Sequence, residues 1–350
     1  MSQRQMLEQQ VPRFPSTRYQ GSKTRLVPWL MQQLSTIEFD TVLDAFGGTG
    51  VVGWHLKLAG KQVTYNDALT FNAHIGRALI ENDEVRLSEV DLDGLLGELG
   101  DEGHFITETF EGIYFTDEEN RWLDAFLAKL QRMPASYGRD LVFAALCQAC
   151  LIKRPYNLFH RRNLAVRTRD VERSFGNKTT WDRPFEDYIR RFGRELSAAV
   201  FKGRRPCTAV CRDVSEVEGD FDLVYLDPPY VPRRGIGVNY RRFYHFLEGL
   251  ADPDTWAERI DWSSKHRELT RTPSPWCDRA RVAAAFESVF DRYEAPRLAI
   301  SYRSDGVPSI EDLESSLRRR GRTVTVHRTE RFQYALSKNR RSHEVLLLAR

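Results

Sequence analysis

The side chains best suited to chemistry stand in four consecutive residues, Asp227-Pro228-Pro229-Tyr230. They follow Leu223–Leu226, a run of apolar residues typical of a buried strand. The two prolines fix φ and remove two backbone donors, so the chain must leave the strand in a stiff, extended corner. A carboxylate, a free proline carbonyl and an aromatic ring are then held at the carboxyl end of a strand, where open α/β sheets place their ligands.

This corner is suited to hold a planar amino group. Asp227 and the Pro228 carbonyl can accept its two hydrogens, and Tyr230 can stack on the ring that carries it. An exocyclic amine is a poor nucleophile because its lone pair is delocalised, and two acceptors draw the nitrogen towards sp3 geometry. The electrophile must then arrive activated, as the sulfonium methyl of S-adenosylmethionine does. The corner predicts methyl transfer to an amine; the alternative is a proline turn with a capping aspartate.

A second stretch predicts a nucleotide-like cofactor. A strand from Thr41 runs into the glycine loop 44–50, a helix follows, and the next strand ends at Asp67. The pattern Gly48-x-Gly50-x-x-Gly53 fits the dinucleotide fingerprint, so a nicotinamide oxidoreductase is the alternative. The glycines indicate only a close approach of the backbone to a ligand, and the acid indicates ribose hydroxyls. S-adenosylmethionine has these features too, and the Asp-Pro-Pro-Tyr corner favours it.

Two further residues are candidates for this cofactor site. Lys23 follows a Gly21-Ser22 turn before an amphipathic run, and a lysine beside a helix start can hold a carboxylate. Asp213 ends a short strand and can accept a hydrogen bond from an adenine amine. A surface lysine and a loop acid are the alternatives.

Charge is distributed unevenly along a chain of 350 residues with a formal net charge of +3. Residues 81–119 carry fourteen acids and one base, whereas residues 153–205 carry fifteen bases and six acids, and residues 318–341 carry nine bases and one acid. Basic segments indicate a polyanionic partner, with solvated helix faces as the alternative. Within 153–182, bases alternate with aromatic residues and asparagines that suit phosphates and base edges. We predict DNA contacts there, and in the Gly/Arg-rich loop after Tyr230, from Lys153, Arg154, Tyr156, Asn157, Arg161, Arg162, Asn163, Arg233 and Arg234.

Periodicity predicts an alternation of strands and helices. Apolar runs predict seven strands, at 41–44, 62–67, 209–213, 222–226, 297–302, 323–327 and 345–349. Helical periodicity predicts helices at 25–34, 51–58, 71–80, 139–152, 185–202, 240–247 and 310–320, and Thr116-x-x-Glu119 is a capping box that opens another. Residues 1–15 read as a flexible lead-in, and 328–341 as a basic loop between the last two strands.

Other classes of protein are disfavoured. Residues 1–10 lack a hydrophobic signal region, and the longest apolar run, about 12 residues, is too short to span a bilayer. Five cysteines without framework spacing favour a reducing cytoplasm. Cys147 and Cys150 lie in an apolar helical run, which favours core thiols over zinc, so no metal site is predicted. Pro206-Cys207 does not fit a catalytic nucleophile, since amine methylation needs no covalent adduct.

The order of these motifs resembles the Dam-like, D12-class DNA adenine-N6 methyltransferases of alpha-type motif order. The residues that carry the resemblance are Tyr19-Gln-Gly-Ser-Lys23, Asp44-Ala-Phe-Gly-Gly-Thr-Gly50, Asn66-Asp67, Arg212-Asp213, Asp227-Pro-Pro-Tyr230 and the stretch Tyr240 to His245. The resemblance implies a Rossmann-like α/β fold: a seven-stranded, S-adenosylmethionine-dependent methyltransferase sheet with a mostly helical target-recognition insertion. The expected boundaries are 1–80 and 206–350 for the catalytic domain and 81–205 for the insertion.

The resemblance also implies roles for single residues. Tyr19 and Lys23 would line the cofactor site, and the loop with Asp44, Phe46, Gly48 and Gly50 would wrap the methionine end. Asp67 would bind the ribose. Asp227, Pro228, Pro229 and Tyr230 would hold a target adenine flipped out of double-stranded DNA, and Asp227 would also belong to the cofactor site.

Three alternatives remain open: methylation of RNA adenine, methylation of cytosine N4, and a DNA-binding protein on an inactive methyltransferase fold. We expect a monomer or weak dimer, with a cognate restriction enzyme as a possible partner.

Overall fold

The computed structural model describes residues 12–169, 178–233, 238–329 and 342–350. Arg234 and most of the loop 328–341, together with residues 170–177 of the predicted DNA-reading segment and 1–11 of the lead-in, lie outside these ranges. Within them, seven strands form one mixed sheet in the order β3-β2-β1-β4-β5-β7-β6. The strands are β1 (Thr41–Asp44), β2 (Gln62–Asn66), β3 (Thr208–Val210), β4 (Leu223–Leu226), β5 (Arg297–Arg303), β6 (Val324–Arg328) and β7 (Glu344–Ala349).

The first five strands are parallel, and only β7 runs antiparallel to its neighbours β5 and β6. The strand order reverses between β1 and β4, which are adjacent in the sheet although 178 residues of chain lie between Asp44 and Leu223. Their carboxyl ends therefore open a crevice at a topological switch point, the place where sheets of this class bind ligands. All seven predicted strands are present, and the α/β fold class is confirmed.

Fifteen α-helices lie in the described residues. They are α1 (Val27–Leu34), α2 (Val51–Leu58), α3 (Thr70–Gly76), α4 (Glu89–Leu96), α5 (Phe105–Thr109), α6 (Asp117–Arg132), α7 (Tyr137–Ile152), α8 (Leu164–Thr168), α9 (Lys178–Asp182), α10 (Phe185–Ala199), α11 (Tyr240–Phe243), α12 (His245–Ala251), α13 (Pro253–Arg259), α14 (Val282–Arg292) and α15 (Ile310–Arg319). The predicted capping box is present, with Thr116 accepting from the Glu119 backbone at the start of α6. The predicted helix 240–247 is two helices, because the chain turns at Tyr244 (φ −120°).

Apolar side chains cover both faces of the sheet. Val42 and Leu43 are successive residues of β1 and point to opposite faces. Val42 belongs to a core shared with the helices of residues 81–205, chiefly α6, α7 and α10. Leu43 belongs to a second core built with α14 and α15. The predicted insertion is therefore mostly helical and shares one continuous core with the sheet; its boundaries remain a prediction.

Candidate active site

A cavity of about 250 Å³ opens at the carboxyl ends of β1, β2 and β4. Its walls come from the segment before α1, the glycine loop, the Asp-Pro-Pro-Tyr corner, the start of α11 and the stretch 272–277. Of the predicted cofactor residues, Tyr19, Lys23, Asp44, Phe46, Gly48, Asp67, Asp213 and Asp227 line it. Gly50 lies beside it as the left-handed residue (φ +76°) that begins α2.

Asp227 is held by one of its two carboxylate oxygens. Lys23 Nζ donates to Asp227 Oδ1 at 2.6 Å, and the Tyr230 hydroxyl lies 3.0 Å from the same atom. Lys23 is 5% exposed, so its ammonium is committed to this contact rather than to solvent. The resemblance placed Lys23 in the cofactor site; the structure places it between that site and Asp227.

The other acceptors of the corner are not used by the protein. Among the described residues, neither Asp227 Oδ2 nor the Pro228 carbonyl accepts a hydrogen bond. Proline supplies no N–H for neighbouring chain to bind, and the corner leaves β4 before another strand can pair with it. Two adjacent acceptors therefore remain for a ligand, as the predicted amine site requires.

Glu344, at the start of β7, was missed by sequence reasoning. Its side chain is fully buried, and Oε1 lies 2.6 Å from the Tyr230 hydroxyl, 2.5 Å from Ser301 Oγ and 3.5 Å from Lys23 Nζ. Lys23 Nζ also lies in hydrogen-bond contact with the Tyr230 hydroxyl. A buried carboxylate therefore ties the last strand to the corner.

The Tyr230 ring is oriented by its surroundings. It packs edge-on against Tyr302, with centroids 5.2 Å apart, and the Lys23 ammonium lies 4.7 Å from the ring centroid. Tyr230 is not among the residues that line the cavity. Stacking of this ring on a base remains a prediction.

The glycine loop is fixed by two carboxylates. Asp44, at the end of β1, accepts from the Gly53 N–H at 3.0 Å, and Asp67, just after β2, accepts from the Gly48 N–H at 2.9 Å. Gly48 has a φ of +52°, which a residue with a side chain rarely adopts. Asp67 thus fixes the loop and Asp44 fixes the first turn of α2, and both acids line the cavity.

Three acids surround this space, of which Asp44 is buried and Asp67 and Asp227 are half-buried. Burial raises the pKa of Asp44 to about 7, and the nearby Asp227 charge adds to the effect. Burial likewise raises the pKa of Asp67 and of Asp227 to about 6, while Lys23 opposes the shift at Asp227. Since ionised acids lose hydration here, the cavity favours a ligand that carries positive charge.

Aromatic rings form the remaining walls. Tyr19 stacks on Tyr244 and Tyr240, with centroids 4.7 and 5.5 Å apart. Phe46 meets the edge of Trp276 at 4.9 Å. Trp276, which sequence reasoning missed, follows a Pro-Ser-Pro sequence that signals a rigid turn, and only the tertiary structure brings it to the cavity.

Asp213 is exposed and precedes the short 3-10 turn Val214–Glu216. Its Oδ1 accepts from the Ser215 backbone and hydroxyl at 3.0 and 2.6 Å. The residue lines the cavity, and its contact with an adenine amine remains a prediction.

Two predicted DNA contacts, Lys153 and Arg154, are corrected by the structure. Both are 1% exposed. Lys153 pairs with Glu119 at 2.7 Å, and the Arg154 guanidinium lies 4.3 Å from the Tyr114 ring centroid while donating to three carbonyls. These cations hold the insertion together and cannot reach a duplex.

Other predicted DNA residues lie at the surface. Tyr156 is 71% exposed, and Arg161, Arg162 and Arg233 are exposed. Asn157 and Asn163 are half-buried, and Asn163 donates to the Pro155 carbonyl at 3.3 Å.

No helix in the described part of the chain is long and apolar enough to cross a membrane.

Comparison of the sequence with known proteins places the chain in a family. The family model for D12 class N6 adenine-specific DNA methyltransferases matches residues 19–259, which include the glycine loop and the corner. A Type II methyltransferase, M2.HphI of Haemophilus parahaemolyticus, is 30% identical over 345 residues, covering 96% of this chain and 97% of that protein.

Two further relatives share less identity. The Type II methyltransferase M.NlaIII of Neisseria lactamica is 24% identical, covering 93% of this chain and 95% of the relative. The Type II methyltransferase M.FokI of Planomicrobium okeanokoites is also 24% identical, and the match covers 50% of that longer protein. With most of its length matched and the corner's acceptors intact, the chain belongs to the D12 class of N6 adenine-specific DNA methyltransferases.

Proposed function

We propose that this enzyme transfers a methyl group from S-adenosylmethionine to N6 of an adenine flipped out of double-stranded DNA. The observation that carries the proposal is the pair of unused acceptors at the corner, Asp227 Oδ2 and the Pro228 carbonyl. They match the two hydrogens of an exocyclic amine. Flipping is required because the amine is otherwise paired inside the duplex, and it costs a few kcal/mol in unstacking.

The residues of the cavity fit S-adenosylmethionine. Asp67 is placed to accept from ribose hydroxyls, the rings of Phe46 and Trp276 offer an apolar wall for adenine, and the acids suit a cation. Two phosphates would meet Asp44, Asp67 and Asp227 and be repelled, which disfavours a dinucleotide. S-adenosylmethionine held by these residues would supply a methyl group on a sulfonium, whose C–S bond would break with its electron pair left on sulfur as N6 formed the new N–C bond.

The protein's own contribution is orientation and charge. Lys23 and Tyr230 fix Oδ1 of Asp227, so Oδ2 is presented to the amine in one direction. With both hydrogens engaged, the N6 lone pair is directed out of the ring plane. N6 then loses one proton, and Asp227, with a pKa of about 6, can accept it and release it near neutral pH.

Exposed arginines and the exposed ring of Tyr156 support a DNA-binding surface. We propose that Tyr156, Arg161, Arg162 and Arg233 contact the duplex, with Asn157 and Asn163 nearby. Arg234 remains in the proposal from the sequence alone. The relatives are Type II methyltransferases by name, and we propose that this chain likewise modifies a specific site, with a restriction enzyme as a possible partner.

Asp227→Asn tests the chemical role of the corner. The amide leaves an oxygen but replaces the second acceptor with a donor and loses the charge, so the rate of methyl transfer should fall by roughly a hundredfold or more. Titration calorimetry should show that S-adenosylmethionine binding is retained within a few-fold. A variant that methylates DNA at the parent rate would contradict the role of Asp227.

Sequencing of genomic DNA from an expressing host tests the substrate. We expect N6-methyladenine within one short motif, absent from a host that expresses Asp227→Asn. Methyl groups on cytosine N4, or on RNA adenine without any on duplex DNA, would contradict the proposed substrate.

A further inference from the structure

An exposed tryptophan stands on a loop that the family model does not reach. Residues 261–271, here the Trp262 loop, connect α13 to the cavity-lining stretch 272–277. Trp262 is 53% exposed, and the Arg267 guanidinium lies 5.3 Å from its ring centroid. Trp262 is the largest side chain exposed on the described surface, and about half of it faces solvent rather than the core.

The inner side of the loop is fixed to the protein. Arg242 donates to Glu268 Oε2 at 2.8 Å, and the loop closes on itself through Asp261 N–H to the Glu268 carbonyl at 2.8 Å. The Tyr114 hydroxyl lies 2.8 Å from the His266 carbonyl and 2.6 Å from the Phe159 carbonyl. One buried hydroxyl therefore joins the Trp262 loop to the segment 155–163 that carries Tyr156.

The two segments share an unusual backbone. Among the described residues, three non-glycine residues have positive φ: Tyr156 (64°), Asn157 (54°) and Arg267 (55°). All three belong to the segment 155–163 or to the Trp262 loop. Such conformations persist where the surroundings impose them, and they gather at ligand-contacting sites.

The outer side of the loop is basic. Lys265 and Arg271 are exposed, Arg271 by 80% of its side chain. The acids are occupied by the protein: Asp261 accepts from Ser263, and Glu268 is buried against Arg242. Arg271 lies 3.9 Å from Glu268 but keeps most of its side chain in solvent, so two exposed cations and an aromatic ring can face a polyanion.

We propose that the Trp262 loop binds duplex DNA next to the flipped adenine, with Trp262 packed on a base or sugar and Lys265 and Arg271 on phosphates. Aromatic rings suit unstacked bases at the edge of a flipped position, and lysine and arginine suit the backbone. The inference rests on the proposed function, and it adds a contact surface outside residues 19–259.

Fluorescence anisotropy with a labelled duplex oligonucleotide, over a series of salt concentrations, tests the surface. Trp262→Ala should weaken binding roughly tenfold, with partial recovery in Trp262→Phe. In the double variant Lys265→Ala/Arg271→Ala, the negative slope of log K against log salt should become shallower by about two. Each lost phosphate contact removes about one unit from its magnitude. The control is Arg194→Ala, an exposed arginine paired with Glu89 on the acidic helix α4, which should leave binding unchanged.

Activity measurements separate the surface from the chemistry. The Trp262 and Lys265/Arg271 variants should raise KM for DNA while kcat and S-adenosylmethionine affinity stay at the parent values. Parent affinity and salt slope in both variants would overturn the inference even if the parent enzyme methylates adenine. Weakened DNA binding in the variants of a chain that methylates no adenine would instead uphold the surface and overturn the proposed function.

Discussion

At the scale of single residues, the site depends on how the charges around Asp227 are shared. Lys23 contacts its Oδ1 directly, and Glu344 holds both Lys23 and Tyr230 from the other side. Asp44, Tyr225 and Tyr240 also lie close enough to interact electrostatically with Asp227. Asp227 therefore acts as a member of a closely packed group of ionisable side chains in which each charge influences the others.

Glu344→Gln should move the acid limb of the pH–rate profile to lower pH. The glutamine still accepts from Tyr230 and Ser301, but the negative charge that disfavours ionisation of Asp227 is gone. Because burial and Glu344 raise the pKa of Asp227 to about 6, activity in the parent should fall as pH drops through about 6. The measurement is kcat/KM against pH, which reports ionisation in the free enzyme.

The control for this prediction is Asp124→Asn in the insertion. Asp124 is also buried and accepts from the Ile106 and Thr107 backbone at 2.8 Å. This variant should keep the parent's acid limb even if it lowers stability. An unmoved limb in Glu344→Gln would show that Glu344 has only a structural role.

Sequence reasoning found the corner but not its support. Asp227 to Tyr230 are recognisable because neighbours in the chain form one chemical unit. Glu344 lies 114 residues beyond Tyr230 and begins an apolar strand, where an acid looks like an ordinary strand end. Lys153 and Arg154 were wrongly predicted to be at the surface, because a run of basic residues is typical of a surface. Their burial depends on residues distant in the sequence, such as Glu119 of α6.

At the scale of elements, the insertion is stabilised around one carboxylate. Glu119 caps α6 through the Thr116 backbone at 2.9 Å, and it pairs with Lys153 at 2.7 Å and with Arg167 at 2.6 Å. Both cations are almost fully buried. A single side chain therefore joins the start of α6 to the ends of α7 and α8.

Glu119→Ala should destabilise the protein by about 3–5 kcal/mol, because two buried cations lose their shared partner. Urea unfolding followed by circular dichroism measures the loss. Glu118→Ala is the matched control, an exposed acid in the same first turn, and should cost no more than about 1 kcal/mol. Equal unfolding midpoints for the two variants would contradict the role given to Glu119.

The elements themselves were largely predictable. Buried strands are recognisable in the sequence as apolar runs, and all seven were predicted. The helix α14 was missed although Val282, Phe286, Val289 and Phe290 repeat at helical spacing and are buried. The break at Tyr244 was missed because both halves share one periodicity, and only packing of Tyr244 on Tyr19 shows where the helix turns.

At the scale of the whole molecule, the fold disfavours ionisation of the acids that line the cavity. Asp44, Asp67 and Asp227 have pKa values of about 7, 6 and 6, above the ordinary value of 3.8. The native state therefore binds more protons than the unfolded chain between about pH 4 and pH 7. The stability that these groups contribute is present below that window and is lost as pH rises through it.

A cationic ligand should restore the stability that is lost, and its effect should grow as pH rises. We expect S-adenosylmethionine to raise the melting temperature more than S-adenosylhomocysteine, whose sulfur is neutral, and the difference should be larger at about pH 7.5 than at about pH 5. Thermal unfolding with each ligand at saturating concentration measures it. In Asp44→Asn one of the acids no longer titrates, so the dependence on pH should shrink. A difference between the ligands that stays constant with pH would mean that the acids of the cavity do not select the sulfonium charge.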